Sequence, residues 1–413
     1  MRKWRRDSDA VKVLQVLEAM GGGTTRLLYG LITHLDPEEF QIDLALPPPA
    51  PYDPLRPLAD PTFPDRVREK GFTVHTVGLV GGRIAPRADL QATAELYRLI
   101  RRERYDIVHA HSAKGGFAGR LAARLAGVRA IVYTPSGLPF NPFIRRRTAF
   151  LYLALERFAG LYTDAIIAAC ESERAEIVRN RLVPESHVLL LPNPFDVAAC
   201  RPSLPPAVKR QELGLRPADP VIGTVARLTR QKGVEFFVAA AARVLQTHPE
   251  AQFVLVGDGE LRPQIEAQIA DLGLAESFHF LGRRADYLDI MATFDLFVMP
   301  SLWEGLPYAP LEAMALGKPV IGTDVTGVRD LIRHESNGFL VPPESAPALA
   351  QAIVRLLEDR QLAARLGEAG RRSLGQHYDP GRIAAETARL YRDILSRKGV
   401  TVHNTPFLDK MSR

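Results

Sequence analysis

Two glutamates eight positions apart, Glu304 and Glu312, stand in the stretch SLWEGLPYAPLEAMALGKPV. Carboxylates on either side of a Gly-Leu-Pro turn can each accept hydrogen bonds from neighbouring hydroxyls, which is how a protein grips a polyol. The stretch predicts a short helix that Pro310 opens at its first position, where a missing N–H costs nothing, and that Gly317 closes. Glu312 then falls in the first helical turn, where the dipole favours negative charge and exposed amides favour an anion. Glu304 lies just outside, over the same spot. The chemistry that fits is a polyol bound beside a phosphate; taken alone, the same pair would be a solvated loop charge and a helix-start residue.

The cations for such a phosphate come from PVIGTVARL, which ends at Arg227, and from Lys232 in RLTRQKGVEFF. At one strand end a planar guanidinium and a point ammonium can neutralise a diphosphate, the first by paired hydrogen bonds and the second by charge. Singly, each would be an ordinary solvated residue. Gly257 and Gly259 bracket Asp258 at the next strand end, and Gly282, Arg283 and Arg284 form a loop that could border a base. In the first half, VKVLQVLEAM runs into Gly21, Gly22 and Gly23 and then a helix. Glycines there let backbone N–H groups approach a phosphate or sugar, although tight turns use them too, and the GxGxxG spacing is absent. His109 and His111 end DIVHAHS on one face of a strand, with Ser112 and Lys114 at the following helix start. Acceptor binding is one role for them; a buried histidine beside a wall-lining one is the other.

These residues need elements to hold them. Strands alternate with helices in both halves, the pattern of parallel sheets covered on two faces. The first half offers VKVLQVLEAM, QIDLALP, TVHTVGL, DIVHAHS, AIVYTPS, AIIAAC and HVLLLP; the second offers PVIGTVARL, AQFVLVGDG, SFHFLG, LFVMPS, KPVIGTD and GFLVPP. A length of 413 residues favours two domains. We place the first at 1–200 and the second at 201–379, with RPSLPPAVKRQELGLRPADP as the linking entry. A helix at about 380–397 packs back on the first domain, PPPAPYDPLRPLADPTFP is a long surface loop, and 399–413 is a frayed tail. Two doubly wound domains facing each other form a cleft, with ligands outside the carboxyl ends of the strands.

Composition narrows the class. Apolar content of 46% with 24% charged residues is that of a soluble globular protein. The two cysteines, Cys170 and Cys200, have neither metal spacing nor a disulfide framework, which points to a reducing cytosol. The start MRKWRRDSDAVKVL is positive without an apolar core behind it, and no apolar run reaches spanning length, so neither export nor threading through a bilayer is expected. Residues 1–200 carry 27 Lys plus Arg against 22 Asp plus Glu, the remainder 26 against 25. No recognition motif or interleaved aromatic platform accompanies that basic excess, so nucleic acid is not the expected partner. An anionic membrane surface or a phosphorylated acceptor fits better. In FNPFIRRRTAFLYLALERFAGLY, Asn141 and Pro142 read as a helix start, yet Arg145, Arg146 and Arg147 crowd early turns where the dipole disfavours them. Anionic headgroups at the inner face of the plasma membrane would compensate the arginines, with the following apolar run at the interface; a core helix with a solvated basic end is the alternative.

The succession ARLTRQKG, VLVGDGELR, FLGRR, SLWEGLPYAPLEAMALGKPVIGTD and TGVRDLIRHESNGFLVPP, over almost all of residues 220–345, resembles the second domain of the family 4 retaining glycosyltransferases of GT-B fold. More loosely, EAMGGGTTRLL, DIVHAHSAKGGFAGRLAARLAG and AIVYTPSGLPF resemble the first. Together they are similar to bacterial enzymes that build polysaccharides or lipid-linked oligosaccharides. The resemblance implies an α/β protein of two Rossmann-like domains, acceptor on the first and nucleotide-sugar donor on the second. It implies retaining, metal-independent hexosyl transfer, without a cofactor, to a glycan or polyprenyl-linked acceptor. Arg227 and Lys232 would hold the donor diphosphate, Glu312 the ribose hydroxyls and Glu304 the transferred sugar. Gly305 and Leu306 would give backbone contacts, and Gly23 would close on the diphosphate from the first domain. One departure stands out: relatives carry a histidine where this chain has Ser136, which makes one hydrogen bond but cannot shift charge near neutral pH. A nucleotide-sugar epimerase or phosphorylase of the same architecture, or a binding protein without transfer, are the alternatives. An epimerase needs no acceptor, and a phosphorylase needs a cofactor-binding lysine site that the sequence does not display.

Overall fold

The alternation of apolar runs with longer amphipathic stretches becomes two parallel sheets in the computed structural model, which describes residues 10–48, 60–79, 85–141 and 143–400. MRKWRRDSD, the middle of the proline-rich stretch and the tail from 401 lie outside those residues. The first sheet holds β1 (Val11–Val16), β2 (Phe40–Leu46), β3 (Thr73–Thr76), β4 (Ile107–His111), β5 (Ala130–Thr134), β6 (Ala165–Ala168) and β7 (Val188–Leu190), in the order 3-2-1-4-5-6-7. The second holds β8 (Val221–Val225), β9 (Gln252–Val256), β10 (Phe278–Gly282), β11 (Leu296–Met299), β12 (Val320–Thr323) and β13 (Phe339–Val341), in the order 10-9-8-11-12-13. Strands covered on both faces need apolar residues at nearly every position rather than at alternate ones. Accordingly β4, β5 and β6 are buried throughout, while the edge strand β3 is not.

In each sheet the chain works outward from one central strand and later returns to that strand's other side. β1 pairs β4 from Val13↔Ile107 to Val16↔Ala110, and β8 pairs β11 through Ile222↔Leu296. Such a reversal opens a crevice at the carboxyl ends, where successive loops turn opposite ways.

The chain divides into two compact units, one running through Pro194 and resuming at Asp379, the other spanning Phe195–Tyr378. The last helix, Pro380–Arg397, belongs to the first unit for a legible reason. Its buried residues Ile383, Ala384, Ala388, Tyr391, Ile394 and Leu395 recur at helical spacing and join the core that includes Val13, Leu28 and Phe40. Asp379 caps it by accepting from Arg382 N at 2.8 Å, with Pro380 in the first turn. In the second unit, Phe237, Phe253 and Phe278 pack edge and face beneath the sheet.

Two local expectations change. The helix after the Gly-Leu-Pro turn is Tyr308–Ala315, with Pro307 in extended backbone as its cap, so Pro310 is third rather than first. The third position still lacks an intrahelical N–H partner, and proline is tolerated there. Glu312 is therefore fifth, beyond the first-turn amides that were expected to favour it. Gly317 closes the helix in left-handed backbone, φ +68°. The arginine-rich helix begins at Arg146, not at Asn141, whose side chain instead accepts from Phe143 N at 3.0 Å in a turn; Pro142 is outside the described residues.

Candidate functional site

At the β8/β11 crevice the chain assembles a compact charged cluster. The loop after β8 carries Arg227, Gln231 and Lys232; the loop after β11 carries Ser301, Trp303 and Glu304. Lys232 Nζ donates to Glu304 Oε1 at 2.5 Å, Ser301 Oγ donates to the same oxygen at 2.7 Å, and Gln231 Nε2 donates to Trp303 O at 2.9 Å. Arg227 Nη2 approaches Gln231 Oε1 at 3.4 Å, so a glutamine joins the guanidinium to the loop of the carboxylate. Leu302 N also bonds Gln231 O at 2.7 Å, tying the two loops through backbone. Gly233 makes this approach possible: at φ +57°, a Cβ there would lie 2.2 Å from Pro300 O.

Burial sets the electrostatics. The Glu304 and Lys232 side chains are 6% and 15% exposed. Loss of solvation pushes the Lys232 ammonium below its ordinary pKa, with Glu304 pulling only partly the other way. Arg227 is pushed down by the same cause. Two cations are thus held in a partly dehydrated crevice, where attraction for an anion exceeds that in water.

Glu312, 2% exposed, accepts from the Tyr287 phenol at 2.5 Å. Gly305 and Leu306 are buried in the turn between the glutamates. Gly327 backs that turn in left-handed backbone, and a Cβ there would collide with Gly305 O at 1.4 Å. Gly257 N donates to Gly282 O at 2.8 Å, joining the ends of β9 and β10, while Arg283 is exposed on the following loop.

The remaining candidates belong to the first unit. Gly22 and Gly23 are exposed at the start of the helix Gly22–Ile32, with Gly22 at φ +63°. His109 and His111 are both buried and stack with ring centroids 4.2 Å apart. His109 is engaged at both nitrogens, with the Tyr391 hydroxyl at 2.7 Å and Thr134 Oγ1 at 2.8 Å. His111 Nε2 meets Gln15 Oε1 at 2.8 Å, and its Nδ1 has no hydrogen-bond partner among the described residues. Burial drives His109 far below the usual imidazole range and His111 to about 3, so both rings are neutral at physiological pH. Lys114 pairs with Asp89 at 2.9 Å. Ser136 sits at φ +55° with its hydroxyl buried and without a partner among the described residues; Gly137 N next to it is held by Glu173 Oε1 at 2.8 Å. Glu18, its pKa raised by burial, accepts from Gly115 N at 2.6 Å at the mouth of β1 and β4.

The cluster at β8/β11 thus unites Arg227, Lys232 and Glu304. Gln231, Ser301, Tyr287, Tyr391, Gln15 and Glu173 are partners that sequence reasoning missed. Gln231, beside Lys232, and Ser301, three residues before Glu304, were open to notice; the others are contacts between distant segments.

Comparison with known proteins follows the same division. Residues 22–194 match the family described as "Glycosyl transferase 4-like domain", and residues 207–373 match "Glycosyl transferases group 1". The chain is 35% identical over 278 residues to UDP-Gal:alpha-D-GlcNAc-diphosphoundecaprenol alpha-1,3-galactosyltransferase of Escherichia coli, covering 66% of this chain and 72% of that protein. It is 31% identical over 311 residues to alpha-D-kanosaminyltransferase of Streptomyces kanamyceticus, covering 71% and 79%. Among solved structures, Anabaena Alr3699/HepE in complex with UDP and glucose superposes with a TM-score of 0.77 at 23% identity, over 93% of this chain and all of that one.

Proposed function

The chain belongs to the family 4 glycosyltransferases of GT-B fold, and from that membership we propose that it moves a hexosyl group, with retention, from a nucleoside-diphosphate sugar to a glycan or lipid-linked acceptor. The observation carrying the site assignment is the meeting of two half-buried cations and Glu304 at the β8/β11 switch point. Bond cleavage at the anomeric carbon leaves negative charge on the departing diphosphate. Arg227 and Lys232, oriented beforehand and partly dehydrated, stabilise that charge most in the transition state. In this role they supply what a divalent ion supplies in other transferases, in keeping with a family that generally needs none. Glu304 takes hydroxyls of the transferred sugar, Glu312 those of the ribose, and Gly305 and Leu306 offer backbone contacts. Gly257, Gly282 and Arg283 border the nucleotide. In the first unit, Gly22 and Gly23 are the anion-binding candidates at a helix start, and Ser136 and Lys114 are the acceptor-side groups, backed by the buried, stacked His109 and His111.

The test is release of free nucleoside diphosphate from UDP-, GDP- and ADP-sugars, with and without a bacterial lipid extract. Release from one donor, stimulated by extract and abolished in Glu312→Gln, is the expected result. Binding without release under any condition would leave a non-catalytic protein, and a changed free sugar without acceptor would mean an epimerase.

We place the enzyme in cell-surface polysaccharide assembly at the cytoplasmic leaflet, since the Escherichia coli relative acts, by its name, on a diphosphoundecaprenol-linked sugar. Among the described residues no helix is long and apolar enough to cross a membrane. The helix Arg146–Gly160 supports surface docking instead. Arg145, Arg146 and Arg147 are exposed at its start, and Phe150, Leu151, Phe158 and Leu161 are exposed within an arc of about 100° at helical spacing. Replacing the three arginines by glutamine should weaken binding to phosphatidylglycerol vesicles by roughly 100-fold, at about 1 kcal/mol each, in a flotation assay. Equal flotation with neutral vesicles, unaffected by the replacement, would remove the membrane assignment.

A further inference from the structure

We propose that Tyr287 is a positioning residue for the donor nucleotide, acting through Glu312. The inference rests on the assignment of Glu312 to the ribose. The phenol donates to Glu312 Oε1 at 2.5 Å, a short contact of a hydroxyl with a carboxyl oxygen. Glu312 has three rotatable side-chain bonds and stands fifth in its helix, beyond the first-turn amides, so contacts from elsewhere must help to fix the carboxylate's direction. A phenol on a neighbouring element does so before the ligand arrives, and a group ordered in advance costs the complex less to order.

The helix that carries the phenol is itself held firmly. Tyr287 begins the helix Tyr287–Ala292, and the residue before it, Asp286, takes a forked pair of bonds from Arg284 at 2.7 and 2.8 Å and one from Lys209 Nζ at 2.9 Å. The Arg284 guanidinium holds the Asp286 carboxyl well below the usual range, so this clamp stays ionised. Two residues beyond Tyr287, Asp289 accepts from Ser203 N and Leu204 N, fixing the helix from its other side. The clamp therefore runs from Lys209 through Asp286 and Tyr287 to Glu312.

The experiment measures Kd by calorimetry for whichever of UDP, GDP or ADP binds tightest, and for its 2′-deoxy and 3′-deoxy forms. Proteins are wild type, Tyr287→Phe, Glu312→Gln and the double variant. Tyr287→Phe should weaken the ribonucleotide about tenfold, through one lost hydrogen bond to a charged group, and leave at least one deoxy form nearly unaffected. The double variant should bind no worse than Glu312→Gln alone, and donor KM should rise with kcat within about twofold. Equal weakening of ribo- and deoxynucleotides by Tyr287→Phe, or none, overturns the inference while a ribose-selective Glu312→Gln preserves the ribose assignment. A Glu312→Gln effect blind to both hydroxyls overturns the assignment, and the inference with it.

Discussion

Lys232→Ala should lower kcat/KM for the nucleotide-sugar donor by about 10²–10³-fold, the usual cost of removing one oriented charge-stabilising group from a dehydrated site. It should also destabilise the second unit by about 3–5 kcal/mol, because Glu304, 6% exposed, would keep a charge whose partner is gone. Adding Glu304→Gln removes that stranded charge, so thermal stability should partly recover while activity does not. Recovery of both would make the pair structural. The pH profile follows from the direction of the Lys232 shift. Burial lowers its pKa, and a diphosphate binds the charged form. Donor affinity should be complete below the Lys232 pKa and fall as pH rises through it, at a pH under the ordinary lysine value of about 10.4. Lys232→Arg keeps the charge throughout that range and should move the alkaline fall in kcat/KM upward, though its forked geometry differs from an ammonium's. An identical alkaline fall in both proteins would assign it to another group.

Arg120→Met should lower the melting transition of the first unit by roughly 6–20 °C, for a buried pair costing about 3–5 kcal/mol when one partner is removed. The Arg120 and Glu156 side chains are 0% and 4% exposed and meet at 2.7 Å. The guanidinium stacks 3.8 Å over the Tyr133 ring and donates to Gly116 O. Glu156 matters beyond this pair, because the helix Arg146–Gly160 buries only Glu156, Ala159 and Gly160. Without the ion pair, little else fixes that helix against the helix Ala113–Ala126. Arg120→Met combined with Glu156→Leu should regain much of the loss, since an apolar pair strands no charge. Calorimetry would decide; a single variant melting within 2 °C of the wild type would refute the claim.

Much of this protein could be read along the chain. Apolar runs between glycine and proline turns are local, and they announce two parallel sheets because strands covered on both faces cannot alternate with polar residues. Gly22 and Gly23, Arg227 with Lys232, and Glu304 with Glu312 stand at the ends of such runs, where ligands of these folds bind. The sequence itself thus carried the family and the kind of anion and polyol chemistry to expect. Helix starts were less legible. Pro307 took the cap expected of Pro310, and Asn141 closed a turn instead of opening a helix, because proline and asparagine serve several neighbouring positions equally well.

Only the tertiary structure decided which groups meet. Tyr287 reaches Glu312 across 25 residues, Lys232 reaches Glu304 across 72, and Tyr391 reaches His109 across 282. No periodicity encodes such distances. Strand order and helix packing bring these side chains together, and burial then fixes their charge, which is why the histidines proved neutral and interior while the two cations remained poised at a crevice.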